Sequence, residues 1–266
     1  MRPVALCWIV TTAAAAVLSA ADAGPRPAAP RINVGGIVNA ATNRPAPANF
    51  ISPGAIISIY GAGLSKETHD VLPGDVVKGL LPETMGGVEV WFGRNEVPAR
   101  LFYISPLQIN AQAPAELRLG EWEVTVRFNA QESTEKCIVR EYSPGLFQPA
   151  RHPDDGTPVS QAAPARPGRY VLFFGTGFGP TLSTTVLTGQ FAPPGPTWLA
   201  VPIEAQIGDI LLGPEDKYYW GLAPGFAGLY QFNLRIPLAA PSGDLEVRIK
   251  VGEEWTQPGF RIAVQR

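Results

Sequence analysis

Two stretches of this chain alternate apolar and polar residues without a break, and they occupy the same place in two copies of one pattern. In Trp122–Phe128 the apolar side chains are Trp122, Val124, Val126 and Phe128, with Glu123, Thr125 and Arg127 between them. In Leu245–Val251 they are Leu245, Val247, Ile249 and Val251, separated by Glu246, Arg248 and Lys250. A period of two with one apolar face marks a strand that packs one side on a core and leaves the other to water. The two runs lie 123 residues apart, and Gln108-Ile109-Asn110 and Gln231-Phe232-Asn233 repeat at the same interval. Earlier, Pro53-Gly54 opens a run that ends in Gly61-Ala62-Gly63. Pro167-Gly168 opens its counterpart, ending in Gly175-Thr176-Gly177, 114 residues on. The second copy therefore carries about nine extra residues between these blocks.

No stretch beyond the leader shows a sustained helical stripe. Gly and Pro number 28 each in 266 residues, enough to place a turn after every short strand. The expected fold is all-β: two immunoglobulin-like β-sandwich domains in tandem after a signal peptide, each of roughly the usual size for such a module. The first spans 32–147, closed by Ser143-Pro144-Gly145-Leu146-Phe147, and the second 148–266. Cys7 and Cys137 are the two cysteines. Cys7 lies in the leader, so no disulfide can bridge two sheets, and the modules are Ig-like in shape only.

Residues 1–23 read as a secretory signal peptide. Arg2 precedes an apolar stretch from Val4 to Leu18, and Ala21-Asp22-Ala23 supplies the small-x-small cleavage pattern. The apolar stretch is shorter than the roughly 20 residues a membrane span needs. Residues 24–31 read as a linker. No segment after the leader is apolar enough for a transmembrane helix, so export to the cell surface, the periplasm or the medium is expected.

Longer motifs carry a family resemblance. They are Gly36-Ile37-Val38-Asn39-Ala40-Ala41, Ile51-Ser52-Pro53-Gly54, Gly86-Gly87-Val88, Leu101-Phe102-Tyr103-Ile104-Ser105-Pro106 and Gln108-Ile109-Asn110-Ala111-Gln112. The second copy adds Gly221-Leu222-Ala223-Pro224-Gly225, Gly228-Leu229-Tyr230-Gln231 and Pro241-Ser242-Gly243-Asp244. Together they resemble an uncharacterised Solibacter-type carboxy-terminal domain of acidobacterial exported proteins. The resemblance implies IPT/TIG-like Ig modules, usually found at the end of larger secreted proteins, with no assigned activity. Trp220 stands where that family's pattern usually has a small residue.

The chemistry-bearing residues are few. A net charge of −2, with 21 basic and 23 acidic side chains, excludes a basic nucleic-acid binder. No Gly-x-Ser-x-Gly elbow is present. The two histidines, His69 and His152, sit in loop-like segments. Cys137 aligns at the 123-residue interval with Phe260, in a run whose alternate residues point inward, and so reads as a small buried hydrophobe. Two histidines and scattered carboxylates offer no metal site. Asp154-Asp155-Gly156 reads as a turn, and no cofactor is expected. Gly61, Gly63, Gly175 and Gly177 end equivalent strands, where glycine permits a positive φ.

Aromatic residues remain as the functional signal. Alternation places Trp122 inward and Trp91 outward. Tyr218, Tyr219, Trp220 and Trp255 in the second copy are the candidate ligand-binding residues, because exposed aromatics beside polar groups suit sugar stacking or a partner surface. The competing expectation is that they fill the seam between the modules. The recurring Gln108/Asn110/Gln112 and Gln231/Asn233 residues are expected to hydrogen-bond a crossing loop. The function expected is a non-enzymatic exported binding or structural module of the cell surface or envelope, its partner an extracellular protein or a glycan. The alternatives are a carbohydrate-binding module using those aromatics and a secreted hydrolase with a dispersed catalytic site.

Overall fold

The computed structural model describes residues 29–46, 48–94, 96–182 and 186–266. The signal peptide and residues 24–28 of the linker lie outside the described residues. The first copy contributes β1 (Arg31–Asn39), β2 (Ile56–Ala62), β3 (His69–Asp70), β4 (Thr84–Met85), β5 (Val88–Phe92), β6 (Val97–Pro98), β7 (Arg100–Ile104), β8 (Gln108–Gln112), β9 (Gly120–Phe128) and β10 (Gln131–Val139). The second contributes β11 (Gly145–Arg151), β12 (Tyr170–Thr176), β13 (Thr197–Trp198), β14 (Ile203–Ile207), β15 (Ile210–Leu211), β16 (Lys217–Leu222), β17 (Tyr230–Arg235), β18 (Gly243–Val251), β19 (Glu254–Trp255) and β20 (Arg261–Val264). Helical structure among the described residues is confined to two 3-10 turns, Pro73–Asp75 and Pro214–Asp216.

Each copy is a sandwich of two antiparallel sheets. One sheet runs β1-β2-β8-β7-β3 in the first module and β11-β12-β17-β16-β13 in the second. These orders are the same when strands are matched by the repeat. The facing sheets run β10-β9-β5-β4 and β15-β14-β18-β19, with β6 on β5 and β20 on β18. The alternating runs supply the cores as the period requires. Val124 and Val126 point into the first, and Val247, Ile249 and Val251 into the second, all fully buried. Each module has its own closed core, so the tandem immunoglobulin-like sandwich reading holds.

The register moves one boundary. Gly145, Leu146 and Phe147 pair with Thr176, Gly175 and Phe174 on β12. In the first module Arg31 and Ile32 pair with Ala62 and Gly61 on β2. Arg31 and Gly145 are thus equivalent, 114 residues apart like the rest of that block. The segment read as the close of the first copy is the opening strand of the second, and Leu146 lies in the second core. Two pairs of glycines show the same equivalence. A Cβ on Gly61 would lie 2.2 Å from the Arg31 carbonyl oxygen, and one on Gly175 2.4 Å from that of Gly145. Gly63 and Gly177 have φ of 62° and 82°, which side chains rarely adopt.

Cys137 is buried, as its place in an alternating run requires. Its partner across the hairpin is Trp122, while Leu245, equivalent to Trp122, pairs with Ile262. The structural counterpart of Cys137 is therefore Ile262 rather than Phe260. The second copy has two more residues in its last hairpin than the first.

Candidate functional site

Hydrogen bonds bridge the seam between the modules. Gln112 is buried there, its Nε2 donating to the Gly54 carbonyl (3.1 Å) and its Oε1 accepting from the Gly189 backbone N–H (2.7 Å). The Thr176 hydroxyl accepts from the Ile56 N–H at 2.8 Å, and the Ser143 hydroxyl donates to the Phe50 carbonyl at 2.6 Å. Asn39 Nδ2 donates to the Ser143 carbonyl at 2.6 Å, and the Leu81 N–H donates to the Gly189 carbonyl at 2.9 Å. Such a seam fixes the modules relative to each other by directional bonds. Of the four candidate aromatics, Trp255 reaches its margin, beside Phe50 and Tyr142.

The four candidate aromatics are not brought together. Tyr219 is buried at 7% exposure. Its hydroxyl donates to the Leu222 carbonyl at 2.6 Å and accepts from the Thr197 N–H at 3.2 Å, and burial raises its pKa. Trp220 pairs with Phe232 on the inner side of the sheet and packs, half-buried, on the second module's own core. Its ring meets that of Trp198 edge-on, with centroids 5.1 Å apart. Trp198 also lies 4.9 Å from the Tyr219 ring, and no alternation signal in the sequence marks it. Trp255 stands apart, beneath the Arg248 guanidinium at 4.9 Å and at the margin of the seam beside Tyr142 and Ser143. Tyr218 alone is freely accessible, at 68% exposure. A bulge in β16 between Lys217 and Tyr219 breaks the simple parity that would have put Tyr218 and Trp220 on one face.

The neighbour of Tyr218 defines a different surface. Its ring lies 5.7 Å from that of Tyr170, tilted by 59°. Tyr170 begins a row of outward side chains on β12, continued by Leu172 and Phe174, while Val171 and Phe173 are fully buried. Phe147 pairs with Phe174 on the neighbouring strand. On the other side Gln231 pairs with Phe174, Asn233 with Leu172 and Arg235 with Tyr170. Gln231 Nε2 donates to Asn233 Oδ1 at 2.8 Å. Arg235 is held by Asp216 at 2.7 Å, and that hydrogen bond raises the guanidinium's pKa further. The outer face of the second module's five-stranded sheet is thus an aromatic and aliphatic strip edged by amides. A cleft of ≈ 410 Å³, bounded by His152, Asp154, Arg166, Arg169 and Tyr170, opens at its end.

The corresponding face of the first module is built otherwise. Ser58 and Tyr60 replace Leu172 and Phe174. The Ser58 hydroxyl and Gln108 Nε2 both donate to Asn110 Oδ1, at 2.9 and 2.7 Å, and the Tyr60 hydroxyl donates to Asn43. Its polar groups are tied to one another. The Gln-x-Asn pairs of both copies therefore bond along their own strand; only Gln112 reaches a crossing loop.

The two histidines have partners of their own. His69 Nε2 lies 2.9 Å from Asp75 Oδ2, which lowers the pKa of that carboxyl together with the Leu72 N–H. His152 Nε2 donates to the Ala163 carbonyl at 3.0 Å. Among the described residues no group of three or more His, Cys, Asp or Glu is placed to hold a metal ion. Nor is any helix among them long and apolar enough to cross a membrane.

No family model and no curated protein matches the chain. The Solibacter-type resemblance thus gains no support beyond the Ig-like modules themselves. Among solved structures, a Bacteroides ovatus mixed-linkage glucan utilization locus SGBP-B, in complex with a mixed-linkage heptasaccharide, is 11% identical. That match covers 84% of this chain and 45% of that one, with a TM-score of 0.35. The plexin A4 extracellular region is 12% identical over 92% of this chain and 19% of that one, at a TM-score of 0.27. A titin Ig tandem is 10% identical over 81% and 91%, at 0.23. The chain thus spans less than half the length of the first two proteins. The fold rests on the sheet order and register of this chain, which are those of two immunoglobulin-like sandwiches in tandem.

Proposed function

We propose that this chain is a non-enzymatic, exported binding module of the cell surface or envelope. In this reading the first module and the seam hold the second at a fixed attitude, and the outer face of β11, β12 and β17 meets the ligand. The observation that carries the reading is the row Tyr170, Leu172 and Phe174. A strand with one buried face has no packing need for apolar residues on the other, and the first module, built on the same plan, carries Ile56, Ser58 and Tyr60 there, with the polar Ser58 buried at the middle of the row. The histidine partners support the absence of catalysis, since neither ring meets a serine nucleophile.

The test is cosedimentation of the exported protein with the insoluble envelope fraction of the producing bacterium. The double variant Leu172→Glu/Phe174→Glu is expected to stay in the supernatant. Trp91→Ala, on the opposite-facing sheet of the first module, is expected to sediment like wild type. Equal sedimentation of all three would refute the assignment of the face. Turnover of chromogenic ester, glycoside or peptide substrates would refute the non-enzymatic part.

A further inference from the structure

We infer that the ligand of this face is a neutral polysaccharide chain, an inference that rests on the binding role proposed above. Three features of the face point to that chemistry. The first is stacking surface combined with hydrogen-bonding groups. A pyranose ring presents a C–H face to an aromatic ring and hydroxyls around its edge. Tyr170 and Tyr218 supply two tilted rings, 5.7 Å apart. The amide pair beside them spends only Gln231 Nε2 and Asn233 Oδ1 on each other. Gln231 Oε1 and Asn233 Nδ2 have no protein partner among the described residues, and neither has either tyrosine hydroxyl. An acceptor and a donor side by side match hydroxyl groups, which do both.

The second feature is charge. Arg235 and Asp216 neutralise each other at 2.7 Å. Of the other charges at the margin, Arg151 and Glu215 have opposite sign, Arg169 pairs with Asp154 at 3.4 Å, and Arg166 lies at the far side of the cleft. The row from Phe174 to Tyr170 itself carries no charged side chain, so it imposes no desolvation of a lone charge on a neutral chain.

The third is length. Outward residues two apart on a strand are about 6.7 Å apart, so Phe174 to Tyr170 spans about 13 Å. A row of that length suits a chain of linked rings, and the cleft beyond Tyr170 leaves its end open. The first module offers no second site of this kind, because its equivalent polar groups are bonded to one another.

The experiment is affinity electrophoresis of the full exported protein through native gels. The gels contain mixed-linkage β-glucan, xylan, glucomannan or starch, with alginate and polygalacturonate as acidic controls. Retardation by at least one neutral polymer and by neither acidic one is expected. Tyr218→Ala, an exposed position whose loss leaves the fold intact, should weaken that retardation at least 10-fold, and Asn233→Ala should weaken it too. Retardation by the acidic polymers alone, or retardation unaffected by Tyr218→Ala, would overturn the inference. With no retardation at all the inference fails, and sedimentation velocity then separates the two claims. A concentration-dependent dimer abolished by Tyr218→Asp would mean that the face binds a second copy, so that the binding role stands. A monomer that also fails to sediment with envelope material would end both.

Discussion

Replacing Gln112 by Ala should uncouple the two modules. This side chain is 6% exposed and makes one bond to each side of the seam, to the Gly54 carbonyl at 3.1 Å and from the Gly189 N–H at 2.7 Å. Truncation leaves both backbone groups without those partners. A buried polar group left unsatisfied costs about 1–3 kcal/mol, so a loss of about 2–6 kcal/mol is expected for the two together. The bond to Gly189 crosses the seam, the bond to Gly54 lies within the first module at its edge, and neither belongs to an apolar core. A single cooperative melt of the wild type should therefore resolve into two transitions in Gln112→Ala, one for each module. Gln112→Met separates the causes: it restores volume without polar atoms, and should cost nearly as much as Ala. Calorimetry and denaturant titration read both quantities. A cost within about 0.5 kcal/mol of zero, the size usual at surface sites, or full rescue by Met, would refute the hydrogen-bonded seam.

Three further outcomes follow from local geometry. The β9–β10 hairpin turns on Asn129 and Ala130, at φ of 51° and 58°, where the second position favours glycine. Ala130→Gly should raise stability by about 1 kcal/mol, and a lower melting temperature would contradict the turn. Burial pushes the Cys137 thiol from 9.0 up to about 12. A group whose pKa is raised on folding contributes stability that is complete below the unfolded value and is lost as pH climbs through the folded one. Between pH 9 and 12 the wild type should therefore lose about 1.4 kcal/mol per pH unit more than Cys137→Ala; parallel pH profiles would refute the burial. The native thiol should also resist alkylation that the unfolded chain undergoes readily. Trp220→Ala should cost about 2–4 kcal/mol through the second module's core and leave binding by the folded fraction intact, whereas an unchanged melt would put Trp220 on the surface.

Much of this fold is written in period and interval. The two alternating runs became β9 and β18 because one apolar face per strand can be satisfied only against a second sheet. The constant interval fixed their equivalence. The module boundary was less legible, because Ser143–Phe147 contains a Pro-Gly pair that reads equally as an end or a beginning. Only hydrogen bonding to β12 shows that it opens a strand. The candidate face was hidden by the same rule that revealed the fold. Tyr170–Phe174 is apolar at every position, so alternation does not say which residues face out, yet that unbroken run was itself the signal of an apolar outer face. Tyr219 was misleading because the edge strand β13 brings Trp198 and Thr197 over it, a pairing about 20 residues away in sequence that local pattern does not encode.

The central claim is that the outer face of the second module is where the protein meets its surroundings. Hydroxyl-radical footprinting of the protein on the surface of the producing cells, compared with the same protein free in solution, tests it without knowledge of the ligand. Protection at Tyr170, Tyr218 and Phe174, with Trp91 in the first module unchanged, is the result this account predicts. Protection at Trp91 with none at Tyr170 and Tyr218 would contradict it.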